Sequence, residues 1–301
     1  MKVLIIGYGS IGRRHEKVLS TFKEVSSIDI VSKQNLENKS LFSTLESVEN
    51  IEDYEYYIIS SETSKHYEQL LYLEKKLTNK LIFCEKPLFD KYEKIKITKN
   101  TVVLGYVLRF HPLLQEAKII LKNDKIININ AKCGSFLPTW RENIDYRNSF
   151  SAKKEKGGGV LLDLSHELDY IQWFCGKITE IKSYQLKVSN LEIDSDDLVV
   201  AIGKTEYDII VNFSIDYFSK IPHRILVIDT DKKSLKLDFI ENSLLVENKD
   251  GVREKKIIDM ERNDMFQMMH QSALSNREYI CTFKEGKDVM DTISKIQRQN
   301  R

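Results

Sequence analysis

The run Gly7-Tyr8-Gly9-Ser10-Ile11-Gly12 constrains this chain more than any other feature. It follows Lys2–Ile6, an apolar stretch that reads as a strand, and it opens Ile11–Thr21, which reads as a helix. In that setting the first glycine permits a tight turn and the second lets a pyrophosphate approach the backbone. The third lets the helix pack close to the strand. The helix N-terminus then faces the phosphates with unpaired N–H groups. The same spacing also occurs in plain strand–helix turns, and methyltransferases carry glycine-rich first turns. Placement between a strand and a helix in a βαβ context favours a dinucleotide site.

The first hundred residues continue in the same style. Tyr56–Ser60, Leu81–Cys84 and Val102–Leu104 join Lys2–Ile6 and Ser27–Val31 as strands, with Ser64–Lys76 as a second helix. Strands alternating with helices predict a parallel sheet. The character changes after Pro112. A helix over Leu113–Leu121 precedes a half-exposed strand over Ile126–Ser135, and a strong helical pattern starts after Gly157-Gly158-Gly159. Ile181–Val188, Leu198–Ile202, Tyr207–Phe218, Arg224–Asp229, Ser234–Phe239 and Ser243–Val246 follow at hairpin distances and predict an antiparallel meander. Two closing helices are expected over Asp264–Ser275 and Glu285–Gln299. The expected fold class is α/β: a Rossmann domain over 1–110, then an α+β domain over 111–301 with a large, mainly antiparallel, open-faced sheet.

A chain of 301 residues with 42% apolar content suits two domains with real cores. Its 46 basic and 45 acidic residues are scattered, which argues against a nucleic-acid or membrane-surface partner. No apolar run approaches the roughly 20 residues of a membrane span. Met1-Lys2 leads straight into the first strand without a signal-peptide pattern. Cys84, Cys133, Cys175 and Cys281 are widely spaced, so neither a metal site nor a disulfide framework is expected. Together these features predict a cytoplasmic protein with no metal.

The end of the second strand bears on cofactor choice. NAD-preferring sites place Asp or Glu there to bond the ribose 2′-hydroxyl. Asp29 lies within the strand, and the end position holds Ser32 and Lys33. A hydroxyl and an ammonium suit a 2′-phosphate, and Arg13 and Arg14 add charge nearby, unless all three cations are plain surface groups. The expected cofactor is NADP in preference to NAD, held by Gly7, Gly9, Ser10, Ile11, Gly12, Arg13, Ser32 and Lys33.

Three further motifs follow in order: Cys84-Glu85-Lys86-Pro87, then Gly105-Tyr106-Val107-Leu108-Arg109-Phe110-His111-Pro112, then Gly157 to Asp169 with its Asp163-Leu164-Ser165-His166 core. Behind an N-terminal GxGxxG, this ordered set resembles the glucose–fructose oxidoreductase, inositol dehydrogenase and MocA (Gfo/Idh/MocA) family. The likeness covers most of the chain, including Arg262-Asn263-Asp264-Met265. It implies oxidation or reduction at a carbinol or carbonyl carbon, commonly of a sugar, an inositol or an activated sugar derivative. It also implies that Lys86 works at the reacting centre, where an ammonium stabilises alkoxide character. Glu85, Thr63 and His66 go with the cofactor by the same resemblance, although His66 also reads simply as a helix start.

His166 is the second catalytic candidate, since imidazole titrates near neutrality and suits exchange of a hydroxyl proton. On a helical wheel Leu164, Leu168, Ile171 and Cys175 form an apolar stripe. Asp163, His166, Tyr170 and Trp173 fall opposite. Relatives often space the acid and the histidine as DxxxH, whereas Asp163 and His166 are three apart. Either the pair still cooperates from one helical face, or Leu162 occupies the acid's place and Asp163 has another task. Val107 stands in a segment where relatives often have Asn. Arg109 reads as a structural tie between domains.

The loop from Trp140 to Arg147 is the expected substrate-recognition element, with aromatic faces for a sugar ring and Arg141 and Arg147 for phosphate or carboxylate. Trp140, Arg141, Tyr146, Arg147 and Asp169 are the substrate-binding candidates. The composition is similar to family members of bacterial surface-sugar biosynthesis. The expected function is hydride transfer between nicotinamide and a secondary alcohol or ketone of a sugar, in a cleft between the domains. A homodimer or homotetramer is expected through the open sheet face. A non-catalytic dinucleotide sensor, or redox-assisted elimination or hydrolysis with recycled cofactor, are the alternatives.

Overall fold

A computed structural model describes residues 1–34, 36, 41–142 and 144–300. The chain forms two compact units, 1–107 with 261–286 and 108–260 with the segment from Lys287 onward.

The first unit contains β1 (Lys2–Ile6), α1 (Ser10–Leu19), β2 (Ser27–Val31), β3 (Leu41–Phe42), β4 (Tyr56–Ile59), α2 (His66–Lys76), β5 (Leu81–Cys84) and β6 (Thr101–Leu104). These strands are parallel, in the order β6-β5-β4-β1-β2-β3. The sequence runs outward from β1 to β2 on one side and restarts at β4 on the other. That reversal is the switch point beside which open α/β sheets bind ligands, at the carboxyl ends of the strands. Residues Val3–Ile6 and Tyr56–Ile59 are at most 1% exposed. Both faces are covered, which is why these strands are continuously apolar instead of alternating.

The second unit contains α3 (Pro112–Ile120), β7 (Ile126–Gly134), α4 (Val160–Asp163), α5 (His166–Cys175), β8 (Ile178–Leu186), β9 (Leu198–Thr205), β10 (Ile210–Asp216), β11 (His223–Thr230), β12 (Lys233–Asp238), β13 (Ser243–Asn248) and β14 (Arg253–Ile257). Its eight strands run in the order β14-β13-β12-β11-β7-β10-β9-β8. All neighbours are antiparallel except β7 and β10. The sheet is therefore mainly antiparallel, as expected, but it is not one meander. β7 enters between β10 and β11 and buries Ile129, Ala131 and Cys133 at its centre. Hairpin spacing alone cannot reveal an insertion from a strand so distant in sequence. β14 escaped the sequence reading because Arg-Glu-Lys-Lys-Ile has no apolar alternation. It is an exposed, charged edge strand, a composition that discourages pairing with other chains.

The boundary expected at residue 110 does not hold for the C-terminal part. α6 (Arg262–Leu274) and β15 (Cys281–Thr282) return to the first unit, and α7 (Phe283–Gln299) then leads into the second. β15 adds antiparallel to β6 at the sheet edge. α6 buries Phe266, Met269, His270 and Ala273 and packs on α1. Its apolar face needs a partner, and α1 offers one.

Candidate active site

In the first unit the three glycines of the turn divide by cause. Gly7 has φ +93°, and a Cβ there would lie 2.5 Å from Ser61 Cα. A Cβ on Gly12 would lie 2.3 Å from the Gly7 carbonyl oxygen. Packing of strand, turn and helix therefore requires both. Gly9, the N-cap of α1, would meet nothing within 4 Å. The space over Gly9 is open, as a backbone surface for a pyrophosphate needs to be. Ser10 and Ile11 form the first turn of α1, which holds no acidic residue to oppose an anion.

The end of β2 gathers the other cofactor candidates. Arg13 donates to Gln34 Oε1 at 2.7 Å, and its guanidinium carbon stands 4.6 Å from the centre of the Tyr8 ring. Gln34 Nε2 donates to the Tyr8 carbonyl at 3.0 Å, and the Gln34 backbone N–H donates to Ser32 Oγ at 3.1 Å. Lys33 is exposed beside them. Arg13 and Ser32 are thus tied together through Gln34 and Tyr8, two residues no motif pointed to. Asp29 accepts from the Tyr54 hydroxyl at 2.6 Å. That carboxylate is engaged within the strand layer.

His66 differs from the expectation that gave it to the cofactor. It starts α2, is 1% exposed, and sets its two ring nitrogens against the carbonyls of Pro87 (3.1 Å) and Ser61 (3.2 Å). Burial holds its pKa below the usual imidazole range. The ring joins the loop after β4 to the Glu85-Lys86-Pro87 segment. Thr63 is buried in the short helix before it. Glu85 is buried as well, with Oε1 at 3.0 Å from His15 Nε2 and Oε2 accepting from the Lys86 backbone N–H at 3.1 Å. Lys86 is half-buried.

In the second unit the helix expected from Val160 onward is broken. α4 ends at Asp163, Leu164 leaves helical geometry at φ −97°, ψ 30°, and α5 restarts at His166. Asp163 and His166 do not share one helix, so the argument from a common helical face fails. The stripe Leu164, Leu168, Ile171 and Cys175 is buried as expected, but Asp163, Glu167, Asp169 and Tyr170 are buried too. Their polar atoms have partners inside the unit. Asp169 takes a bidentate contact from Arg109, with Nε at 2.9 Å and Nη2 at 2.6 Å. Glu167 takes Arg224 Nε at 2.8 Å and the Tyr170 hydroxyl at 3.2 Å. Asp169, the expected substrate contact, thus carries the Arg109 guanidinium. Arg109 and Asp169 both belong to the second unit.

Asp163 has a different setting. The Tyr217 hydroxyl donates to its Oδ2 at 2.5 Å, and Trp140 stands edge-on to the Tyr217 ring at 5.2 Å. The Trp140 indole N–H donates to Ser135 Oγ at 2.7 Å. Burial, reinforced by the Asp163 charge, pushes the Tyr217 phenol well above its ordinary pKa, so it remains a donor. Trp140 and Asp163 are brought together by Tyr217, which sequence reasoning took for an ordinary strand residue. His166 sits half-buried at the start of α5.

The remaining loop candidates meet partners both near and distant in the chain. Arg147 pairs with Asp145 at 2.9 Å and Glu192 at 3.0 Å, and the Tyr146 hydroxyl accepts from the Glu192 backbone N–H at 3.2 Å. Arg141 lies 5.2 Å from the centre of the Phe150 ring. Asn143 lies outside the described residues. Among the described residues no cluster of His, Cys, Asp and Glu has a metal-binding arrangement, and no helix is long and apolar enough to cross a membrane.

Comparison with known proteins matches residues 1–103 to the oxidoreductase family with an NAD-binding Rossmann fold, and residues 114–236 to the GFO/IDH/MocA C-terminal domain. The chain is 34% identical over 108 residues to 2,7-anhydro-N-acetylneuraminate hydratase of Escherichia coli, covering 34% of this chain and 28% of that one. It is 27% identical over 195 residues to glucose-6-phosphate 3-dehydrogenase of Bacillus subtilis, covering 58% and 53%. The match thus spans about half or less of these relatives. Among solved structures, levoglucosan dehydrogenase with NADH and levoglucosan superposes with a TM-score of 0.84 at 14% identity, covering 99% of this chain and 96% of that one. UDP-N-acetylglucosamine 3-dehydrogenase of Acidithiobacillus ferrooxidans gives 0.76 at 15% identity, covering 100% and 97%. At such identities these structures establish the fold alone. With both family models matched in order on a chain that carries the glycine turn and Glu85-Lys86-Pro87, this protein belongs to the Gfo/Idh/MocA oxidoreductase family.

Proposed function

We propose that the chain is an NAD(P)-dependent oxidoreductase acting on a secondary alcohol or ketone of a sugar or sugar derivative, with NADP preferred. The observation that carries the reading is the bare backbone at Gly9, open above a turn whose other two glycines are fixed by packing. The bound dinucleotide supplies hydride acceptance and donation at its nicotinamide. Gly9 and the first turn of α1 hold the pyrophosphate. Ser32, Lys33 and Arg13 receive the 2′-phosphate, with Arg13 held in place by Gln34 and Tyr8. Lys86 places an ammonium at the substrate oxygen and steadies its alkoxide character. His166 takes or returns the hydroxyl proton. Tyr217, edge-on to Trp140, donates to Asp163 and keeps that carboxylate in one orientation.

The sugar class is supported by two relatives, named as a glucose-6-phosphate 3-dehydrogenase and a 2,7-anhydro-N-acetylneuraminate hydratase. Surface-sugar biosynthesis is the setting in which an activated sugar would be the substrate. The outward face of the large sheet exposes Tyr184, Val200, Ile202 and Ile210 in adjacent strands. We assign this face to a second copy of the chain, in a cytoplasmic homodimer or homotetramer, because a broad apolar surface is rarely left to water. A monomer across working concentrations removes that assignment.

Titration with NADPH and NADH, followed by tryptophan fluorescence or calorimetry, tests the cofactor. Tighter binding of NADPH is expected, and binding of neither overturns the reading. With hexose phosphates and nucleotide sugars as substrates, Lys86→Met is expected to abolish turnover while leaving cofactor affinity within about twofold. The hydratase name of one relative favours a second reading, in which the cofactor is recycled. Product formed without net NAD(P)H change would select it.

A further inference from the structure

The first unit holds a buried chain of four polar side chains, three of which (His15, His270 and Tyr56) no reading above has used. Glu85 Oε1 lies 3.0 Å from His15 Nε2, and His15 Nδ1 lies 2.9 Å from His270 Nε2. His270 Nδ1 lies 2.9 Å from the Tyr56 hydroxyl. His15, Tyr56 and His270 have no solvent exposure. Phe83 packs its ring against both imidazoles, with Phe266 against His15 and Phe22 against His270. The chain links β5's end, α1, α6 and β4.

Its protons can be counted. A phenol donates and a carboxylate only accepts, so with one proton per link and neutral imidazoles the direction is set. Tyr56 O–H donates to His270 Nδ1, His270 Nε2–H donates to His15 Nδ1, and His15 Nε2–H donates to Glu85. The reverse direction needs a protonated Glu85 and turns the Tyr56 proton away from His270. Burial, then the charge of Glu85, holds the Tyr56 phenol well above its ordinary pKa. Burial, then neighbouring His15, holds His270 well below its own. Both shifts keep Tyr56 and His270 in their neutral forms. At its far end the chain reaches the reacting segment, because Glu85 Oε2 accepts from the Lys86 backbone N–H at 3.1 Å. A Cβ on Gly105 would lie 2.7 Å from Glu85 Oε1, so Gly105 leaves the carboxylate its seat.

We propose that Tyr56 and His270 are positioning residues that fix His15 as its Nε2–H tautomer, so that His15 holds an ionised Glu85 against the backbone N–H of Lys86. That this contact steadies the Lys86 ammonium for turnover rests on the reading of Lys86 given above; the tautomer chain itself does not.

The test is long-range imidazole NMR on the full-length, 15N-labelled protein at neutral pH. His15 and His270 are both expected as neutral Nε2–H tautomers. Tyr56→Phe, which removes one oxygen atom, is expected to shift His270 and then His15 towards mixed tautomers. The Lys86 amide should exchange roughly fivefold faster, the scale of one lost hydrogen bond. His270→Leu should do the same, whereas His270→Gln, whose amide can accept from Tyr56 and donate to His15, should restore both signals. A merely space-filling His270 would be served better by Leu than by Gln. An imidazolium or Nδ1–H form of His15 in the unaltered protein overturns the proposal, as does an unchanged His15 in both Tyr56→Phe and His270→Leu. Full turnover by Lys86→Met would remove the Lys86 reading and leave these spectra to stand or fall alone.

Discussion

At the scale of single residues, the same amino acid does different work at neighbouring positions. Gly12 is required by a carbonyl that a Cβ would meet at 2.3 Å, while Gly9 faces open space. Gly12→Ala is therefore expected to lower stability by roughly 1–3 kcal/mol, the usual range for a forced overlap in a packed site. Gly9→Ala should leave the melting temperature unchanged and weaken NAD(P)H binding at least tenfold. Equal effects of the two substitutions on melting would contradict this division. Arg109 and Asp169 make the complementary case, since both are almost wholly buried and face each other bidentately. Arg109→Met removes the bidentate guanidinium from a buried carboxylate and is expected to cost about 3–5 kcal/mol in urea unfolding. Arg109→Met with Asp169→Leu should recover much of that loss, and no recovery would mean the pair is not the cause.

At the scale of elements, α6 decides more than its place near the end of the chain suggests. Its buried face carries Phe266 and His270, and Arg14 of α1 reaches it by donating to Asn263 Oδ1 at 2.6 Å. α1 is also the helix whose N-terminus borders the glycine turn. Phe266→Ala is expected to cost about 3–5 kcal/mol, the scale of a large aromatic lost from a core. It should also loosen NAD(P)H binding, because Phe266 packs on Arg14 and His15 of α1, just past that turn. Unchanged amide protection of α1 in hydrogen exchange would refute the coupling. The broken α4–α5 segment shows the converse. Its apolar stripe was readable, but its polar residues pair inward with Arg109, Arg224 and Tyr217 from elsewhere in the chain, which no periodicity within the helix encodes.

At the scale of the whole molecule, buried histidines couple folding to pH. Burial lowers the pKa of His66 and His270 and pushes His111 down from 6.5 to about 4, with Arg224 acting in the same direction on His111. A group whose folded pKa lies below its unfolded value takes up protons preferentially in the unfolded chain. Its stabilisation is then complete above the unfolded value and lost as pH falls towards the folded one. Asp196, raised by burial, works in the opposite sense, but it is one group against three. The urea midpoint is therefore expected to be highest at pH 7–8 and to drop steadily from about pH 6.5 towards pH 4. A flat midpoint over that window would show that these histidines titrate alike folded and unfolded.

The linear pattern determined what local physics controls. An apolar strand followed by GxGxxG and a helix specifies a Rossmann start, because turn geometry and helix packing act within a dozen or so residues. Alternating apolar residues likewise marked most strands of the second sheet. Tertiary structure decided what depends on contacts distant in the chain: the place of β7 between β10 and β11, the return of α6 and β15 to the first unit, and the join of Trp140 to Asp163 through Tyr217. It also decided which polar groups remain for chemistry. Asp169 pairs with Arg109, Arg147 with Glu192 and His66 with the Pro87 carbonyl, and a partner tens of residues away leaves no mark in the spacing of the residue it meets.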